Sequence, residues 1–444
     1  MPIANSQFSG TGGAFRLVLP VRSAVVRAAV SVDRGRDIGA PGADSNVTRT
    51  YYPEEDANRL TVGVDQGIGA TRIELRAAVS TYDIITRRER LPNATTRRQI
   101  SSADVTAKDA SLRMTAETPT ANALFHTGVD VTSRFDVHAL GSIIAFDAQD
   151  KILTRRDEVS IGEASRHDIG VFAIADLPLT PALTFSGGAR VDALRVRNAG
   201  GSFGNRSRSD QAVSGHAALT WAAGAFSTTL QLGSGFREPT LSDRYFRGVS
   251  GRGFVVGNPD LEPERSFQGD YAARWQRGQR SIAFFAYEYR IHDLVERYAS
   301  GTDFAFRNRG EAEIRGVELE LATPLGRHLA MQGSISAARG DSGDQALDDI
   351  TPLKSHLELR WALRRCSVFT SATWFGTDNR PGPVETARPS HTVIDFGAGW
   401  KIHESADLRL SARNILDERY AGSSDANAAQ APGRAVTLSI HGRI

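Results

Sequence analysis

Residues Gly233–Phe267, GSGFREPTLSDRYFRGVSGRGFVVGNPDLEPERSF, gather five acids, five arginines and three prolines among many glycines. Paired carboxylates can work as acid and base, and glycine-rich backbone can cradle a phosphate. Neither chemistry finds the rest of its machinery in the chain. The run GDSG at 340–343 spells the surroundings of a serine-protease nucleophile, but Asp344 follows it and no His-containing partner motif accompanies it. His403-Glu404 lacks the second His four residues after the first that a zinc hydrolase helix needs. No CxxC, Walker A or strand-turn-helix glycine fingerprint occurs, and the ten histidines are scattered. The carboxylate pairs Glu54-Glu55 and Asp348-Asp349 read as solvated loop charge. These residues predict no catalytic group, no metal site, no cofactor and no enzyme.

The elements that carry the 233–267 stretch decide what it is. The chain has 444 residues, 40% hydrophobic and 23% charged, with a mean hydropathy of -0.29. There is no run of 18 apolar residues, so no transmembrane helix is expected. Spanning strands remain open, because their alternation averages out as polar. A net charge of +2 points to no nucleic-acid partner. Arginine carries nearly all the positive charge, which reads as base-composition bias before function. The single cysteine, Cys366, allows no intrachain disulfide and fits an exported bacterial protein. The opening MPIANSQFSGTGGAF has no basic segment leading into an apolar core, so no signal peptide is read there.

The dominant period is two. In HLELRWALR, Leu357, Leu359, Trp361 and Leu363 point one way, and His356, Glu358, Arg360 and Arg364 the other. TRIELRAAV, FQGDYAARWQ and VTLSIHGRI alternate in the same manner. Short connections, such as 67–70, 179–182, 222–225, 277–279 and 403–407, alternate with long ones at 34–57, 83–102, 196–211, 237–264, 377–390 and 416–433. An outer-membrane barrel has that asymmetry, with turns on one side and loops on the other. Two spanning strands with a turn and a loop take about 40 residues, which predicts on the order of 20 strands. Trp221, Trp275, Trp361 and Trp400 all lie where a strand meets a short connection. They form a candidate interfacial girdle, because indole has an apolar body and an N–H that seeks water. The charged stripes would face a wet lumen. In a soluble β-sandwich the same stripes would face solvent, which is the structural alternative.

The 233–267 stretch is then the long connection between two strands, and here the chain resembles the TonB-dependent outer-membrane receptors. Gly235, Phe236, Arg237, Pro239 and Thr240 are similar to the family's strand-ending run. Gly257, Asn258, Pro259, Leu261, Pro263 and Glu264 are similar to the motif that closes the loop. FSGGARVD (185–192), NRGEAEIRGVELEL (308–321), LRLSARNILDERY (408–420) and PGR (432–434) follow the family's order. The resemblance covers at least 165–444.

It implies an all-β fold, an antiparallel transmembrane β-barrel of about 22 strands; this chain departs from the family in that about 19 strands are counted and no plug domain is read. Residues 1–13 are read as a short leader and 14–444 as the barrel. Strand parity makes the first and last strands run the same way, which predicts a truncated or mis-started receptor. The implied function is uptake of a scarce nutrient (a ferric siderophore, haem or cobalamin) across the outer membrane. Its partners would be the lipid bilayer, a small-molecule ligand such as a metal chelate, and a TonB complex whose contact segment is not seen. Candidate ligand-binding residues are Arg237, Asp243, Arg244, Tyr245, Asn258 and Asp260; the bland reading of the same charges is solvated loop.

A passive porin-like channel or surface-binding barrel is the first alternative, and a secreted soluble β-rich enzyme the second. Cell fractionation separates the last from the rest. The expressed chain is expected in the outer-membrane fraction, released only by detergent, whereas a soluble enzyme would leave without it.

Overall fold

The period-two segments do form strands in the computed structural model, which describes residues 3–251, 253–301 and 303–442. Ten strands come first: β1 (Ser9–Val21), β2 (Ala24–Ala40), β3 (Thr48–Ile68), β4 (Thr71–Arg90), β5 (Gln99–Pro119), β6 (Leu124–Phe146), β7 (Ile152–Thr180), β8 (Leu183–Ala199), β9 (Arg206–Ala223) and β10 (Phe226–Arg237). A short helix α1 (Leu241–Tyr245) and the hairpin β11 (Arg247–Ser250) and β12 (Gly253–Val256) precede β13 (Glu264–Arg277) and β14 (Arg280–His292). The hairpin β15 (Val295–Ser300) and β16 (Asp303–Asn308) precedes β17 (Ala312–Pro324) and β18 (Leu329–Ser342). The two-residue β19 (Gln345–Ala346), β20 (Lys354–Ala362), β21 (Cys366–Phe375), β22 (His391–His403), β23 (Ala406–Arg413) and β24 (Ala435–Gly442) complete the chain.

Among the described residues, twenty strands share one sheet, and β11, β12, β16 and β15 make a second of four. Apart from β19, each strand of the large sheet pairs antiparallel with its neighbour along the chain, including β10 with β13, β14 with β17 and β18 with β20. Nineteen long strands are an odd number, so β1 and β24 run in the same direction, and each has one partner in the sheet. The sheet nonetheless curls until its ends approach. Ala43 N–H donates to Asn427 O at 3.1 Å, and Asn427 Nδ2 donates to Asp44 Oδ1 at 2.7 Å.

The register turns alternation into two surfaces. Val64, Leu75, Met114, Val129, Val171, Val191 and Val213 are successive cross-strand partners from β3 to β9. Leu329, Trp361, Val368, Ala398, Leu410 and Leu438 continue in the same way from β18 to β24. Many of these side chains are exposed, Val213 at 72%, as lipid-facing residues must be. The opposite face carries arginine and carboxylate two residues apart on one strand: Arg166/Asp168 at 2.8 Å, Arg190/Asp192 at 2.7 Å, Arg208/Asp210 at 2.7 Å, Glu358/Arg360 at 2.8 Å and Asp407/Arg409 at 2.8 Å. Arg113 and Arg190 also share Asp130 across strands. In a wet interior such pairs cost little and suppress like-charge repulsion. Trp221, Trp275, Trp361 and Trp400 all lie close to short turns, as the girdle requires.

Two expectations change. The connections read at 34–57, 83–102 and 196–211 are mostly strand, leaving 41–47, 91–98 and 200–205 between strands. Polar residues there hid the continuation, because those strand ends rise above any lipid. The first strand starts at Ser9, inside the segment read as a leader. Residues 120–148 hold one strand, β6, interrupted by a bulge between Arg134 and Val137.

No described helix is long and apolar enough to cross a membrane; the strands do the crossing. About 10 residues of tilted strand suffice, and β7 has 29. The wall from β3 to β7 is therefore tall on the side of the long connections.

The outer row predicts an asymmetric response to charge. Val171→Arg is expected to lower folding stability in lipid vesicles by about 2–4 kcal/mol, read by denaturant titration. Gln268→Arg, on the inner face beside Asp270, is expected to change it by less than about 1 kcal/mol.

Candidate functional site

The 233–267 stretch does not hang outside the barrel. Past Arg237 the chain turns inward, and α1, β11 and β12 pack on the inner face of β5 to β8. Val255 and Val256 of β12 pair in parallel with Phe304 and Ala305 of β16, which joins the two long connections into one lobe.

The wall is prepared for the lobe by a reversal in the meaning of its alternation. Low on β5, the apolar residues Leu112 and Met114 face outward. Higher up, the residues facing inward are Ala103, Val105 and Ala107, and the core of the lobe is built on them. On β8 the outward Val191 gives way to the inward Leu194 and Val196, both buried. Leu241, Tyr245, Phe246, Val249 and Val255 of the lobe pack against Ala107, Val137, Ala139, Ile161, Ala164 and Val196. The wall alanines let the lobe approach closely, and burial of this apolar surface holds it there.

The predicted site residues are brought together, but largely in contact with one another. Thr240 caps α1: its Oγ1 accepts from Asp243 N at 3.1 Å, and Asp243 Oδ2 accepts from Thr240 N at 2.8 Å. Arg244 and Glu238 form an ion pair of 2.8 Å with both side chains at 0% exposure. Arg244 Nη1 also donates to Pro259 O at 2.9 Å. Tyr245 is buried. Arg237 binds Glu264 across the β10–β13 pair, and Glu264 accepts from Val295 N at 2.6 Å. Asn258 donates from Nδ2 to Phe306 O at 3.2 Å, and its Oδ1 accepts from Asp260 N at 3.0 Å. Gly257 is required by proximity, because a Cβ there would lie 2.8 Å from the Arg244 backbone. Of the six, Asp260 alone has an exposed side chain that takes part in none of these bonds; Arg244 and Tyr245 have no surface to offer a solute in this arrangement.

Burial pushes the Glu238 carboxyl up from the ordinary carboxylate range, although Arg244 beside it pulls the other way. Among the described residues, Glu238 Oε2 and Arg244 Nε are buried without a hydrogen-bond partner. The pair is thus held by its seat in the lobe rather than by a saturated network.

Two cavities open beside the lobe at the long-connection end. One, of about 410 Å³, lies between β4, β5 and the β11–β12 hairpin and includes Arg88, Arg90 and Arg247. The other, of about 260 Å³, includes Glu296, Asp348, Asp349 and Glu385. Burial raises the Asp348 carboxyl above its ordinary range, opposed by the Val384 N–H and reinforced by Glu385 and Asp349. The first cavity was not foreseen. Its signal was present in TRRER (86–90), where two arginines share a strand face without an acid. Among the described residues, no group of three or more His, Cys, Asp or Glu is placed to hold a metal ion.

The profile of the TonB dependent receptor-like β-barrel family matches residues 5–415. The chain belongs to that family. Its place is the cell outer membrane, and the family is one of transport receptors rather than enzymes. The vitamin B12 transporter BtuB of Vibrio vulnificus is 25% identical over 194 residues, 42% of this chain and 30% of the relative. An iron-regulated outer membrane virulence protein of Vibrio cholerae is 26% identical over 211 residues, 42% of this chain and 32% of the relative. The matches thus span about a third of those relatives' length. Among solved structures, the copper transporter OprC superposes with a TM-score of 0.83 at 16% identity, covering 99% of this chain and 72% of that one. The siderophore receptor PiuA of Acinetobacter baumannii gives 0.74 at 13% identity, covering 98% and 74%. At such identities the likeness is one of fold.

The buried pair predicts a test of how the lobe is held. Arg244→Met alone leaves Glu238 unpaired and is expected to cost about 3–5 kcal/mol of lobe docking. Hydrogen exchange across 238–263 would rise while the barrel strands stay protected. Adding Glu238→Leu is expected to restore most of the protection.

Proposed function

We propose that this chain is the membrane-spanning barrel of an outer-membrane receptor that imports a scarce, bulky nutrient in a TonB-energised cycle. The nutrient class is that of ferric siderophores, haem or cobalamin. Family membership across nearly the whole wall carries the reading. The names of the relatives, a vitamin B12 transporter and an iron-regulated protein, support the choice of class.

The lobe supports the same reading over a passive pore. A porin conducts through an open lumen, whereas here two long connections fold inward and bury an apolar face on the wall. A solute arriving from outside meets a structured surface first. Among the described residues β1 and β24 each have one sheet partner, and these open edges support a second element of the proposal. Unsatisfied backbone groups in hydrocarbon cost several kcal/mol each, so the working receptor includes further polypeptide that pairs with these edges and gates the lumen. In this proposal the TonB partner acts on that gating part.

Deleting the gene is expected to abolish growth on one iron or corrinoid source supplied as the sole scarce nutrient. Removing TonB should give the same phenotype, and the full-length gene should restore growth. Unchanged growth on every such source, with large ligand-independent currents in planar bilayers, would instead favour a passive channel.

A further inference from the structure

Inner-face arginines of this barrel mostly carry their own neutralisation. Arg166, Arg190, Arg208, Arg360 and Arg409 each have a carboxylate two residues away on the same strand. Arg88 and Arg90 do not follow that rule. They occupy successive inward positions at the end of β4, roughly 6–7 Å apart along the strand. Their cross-strand partners are Thr50 and Ser101 for Arg88, and Thr48 and Gln99 for Arg90. All four are neutral. Arg90 Nη2 donates to Gln99 Oε1 at 3.0 Å.

A third guanidinium comes from the opposite side. Arg247 of β11 is held from behind by Glu158, 2.7 Å from its Nη1, and its backbone N–H donates to Ser160 Oγ at 2.6 Å. The lobe thereby fixes Arg247 against the wall. Arg88 reaches the β12 side of the same space, where a Cβ on Gly253 would lie 2.9 Å from its Nη1. The cavity enclosed by these elements has about 410 Å³, and one carboxylate, Asp303, lies among its lining residues with the three arginines.

We propose that this cavity is a subsite for an oxyanionic group of the imported solute, a carboxylate or phosphate-type anion, so that the solute is an anionic chelate rather than a neutral one. This inference rests on the receptor reading above. Guanidinium presents paired N–H groups that match the two oxygens of such an anion. Two guanidiniums on one strand and a third facing them repel one another, and a bound anion relieves that repulsion. Low-dielectric walls on both sides concentrate the positive potential in the cleft. Thr48 and Ser101 add hydroxyl donors to the same lining. Because β11 supplies Arg247, the subsite exists only while the lobe is docked on β5 to β8. Anion binding and lobe docking are therefore coupled.

The probes are citrate and inorganic pyrophosphate, with cyanocobalamin as a neutral comparison, titrated against the purified full-length receptor in detergent by calorimetry. The wild-type protein is expected to bind at least one of the two anions, with affinity that falls as salt rises. The double variant Arg88→Gln/Arg90→Gln is expected to bind it roughly tenfold or more weakly. Arg59→Gln, at another inner-face position outside the cavity, should leave binding unchanged, and heat-modified gel mobility should report the same folded barrel for all three proteins. Failure of both anions to bind the wild type, or equal binding by the double variant, overturns the subsite. If cyanocobalamin binds and the anions do not, the receptor reading stands and the subsite alone falls.

Discussion

Backbone hydrogen bonding in hydrocarbon is the constraint from which the other features follow. A strand crossing lipid cannot leave an N–H or C=O without a partner, because no water is there to supply one. An antiparallel meander meets this demand locally, each strand pairing with its chain neighbours. Once the sheet curls, successive side chains must face opposite media. The row from Val64 to Val213 and the arginine–carboxylate pairs behind it are two consequences of that one geometry. Among the described residues, the long strands with an open side are β1 and β24, which run in the same direction and therefore are not antiparallel partners for each other.

The same alternation carries a second message above the lipid. There the outer face meets water and the inner face can become apolar, as it does at Ala103, Val105 and Ala107 on β5 and at Leu194 and Val196 on β8. An inward apolar patch in an otherwise charged lumen needs a cover. The two long connections provide it, and a dehydrated Arg244–Glu238 pair sits within that cover. Desolvation makes such a pair a poor source of net stability, but removal of one partner is costly. It thus favours one folded arrangement of the lobe over looser ones.

The lobe also gives the long-connection end its chemistry. By crossing to the wall of β4 and β5 it brings Arg247 opposite Arg88 and Arg90, while Glu296 of its β15 meets Asp348 and Glu385 of other connections in a separate cavity that Arg297 and Arg309 also line. The charges in GSGFREPTLSDRYFRG look interchangeable as text. In space Arg237 ties two strands, Asp243 caps a helix, Arg244 is sealed away and Arg247 lines a cavity.

Period-two alternation, the short turns and the placement of Trp221, Trp275, Trp361 and Trp400 determined the strands, their number and the lipid-facing side. Those properties depend on each residue and its immediate neighbours, so they are written locally. The family runs around Gly257-Asn258-Pro259 likewise marked a built loop. Which way that loop turns was not legible, because it depends on alanines and valines of other strands, from Ala103 on β5 to Val196 on β8. Only the tertiary structure decided that Arg244 and Tyr245 are buried and that Arg88 and Arg247 line one cavity. Burial and electrostatic potential are properties of what surrounds a side chain, and here the surroundings come from opposite walls of a curled sheet.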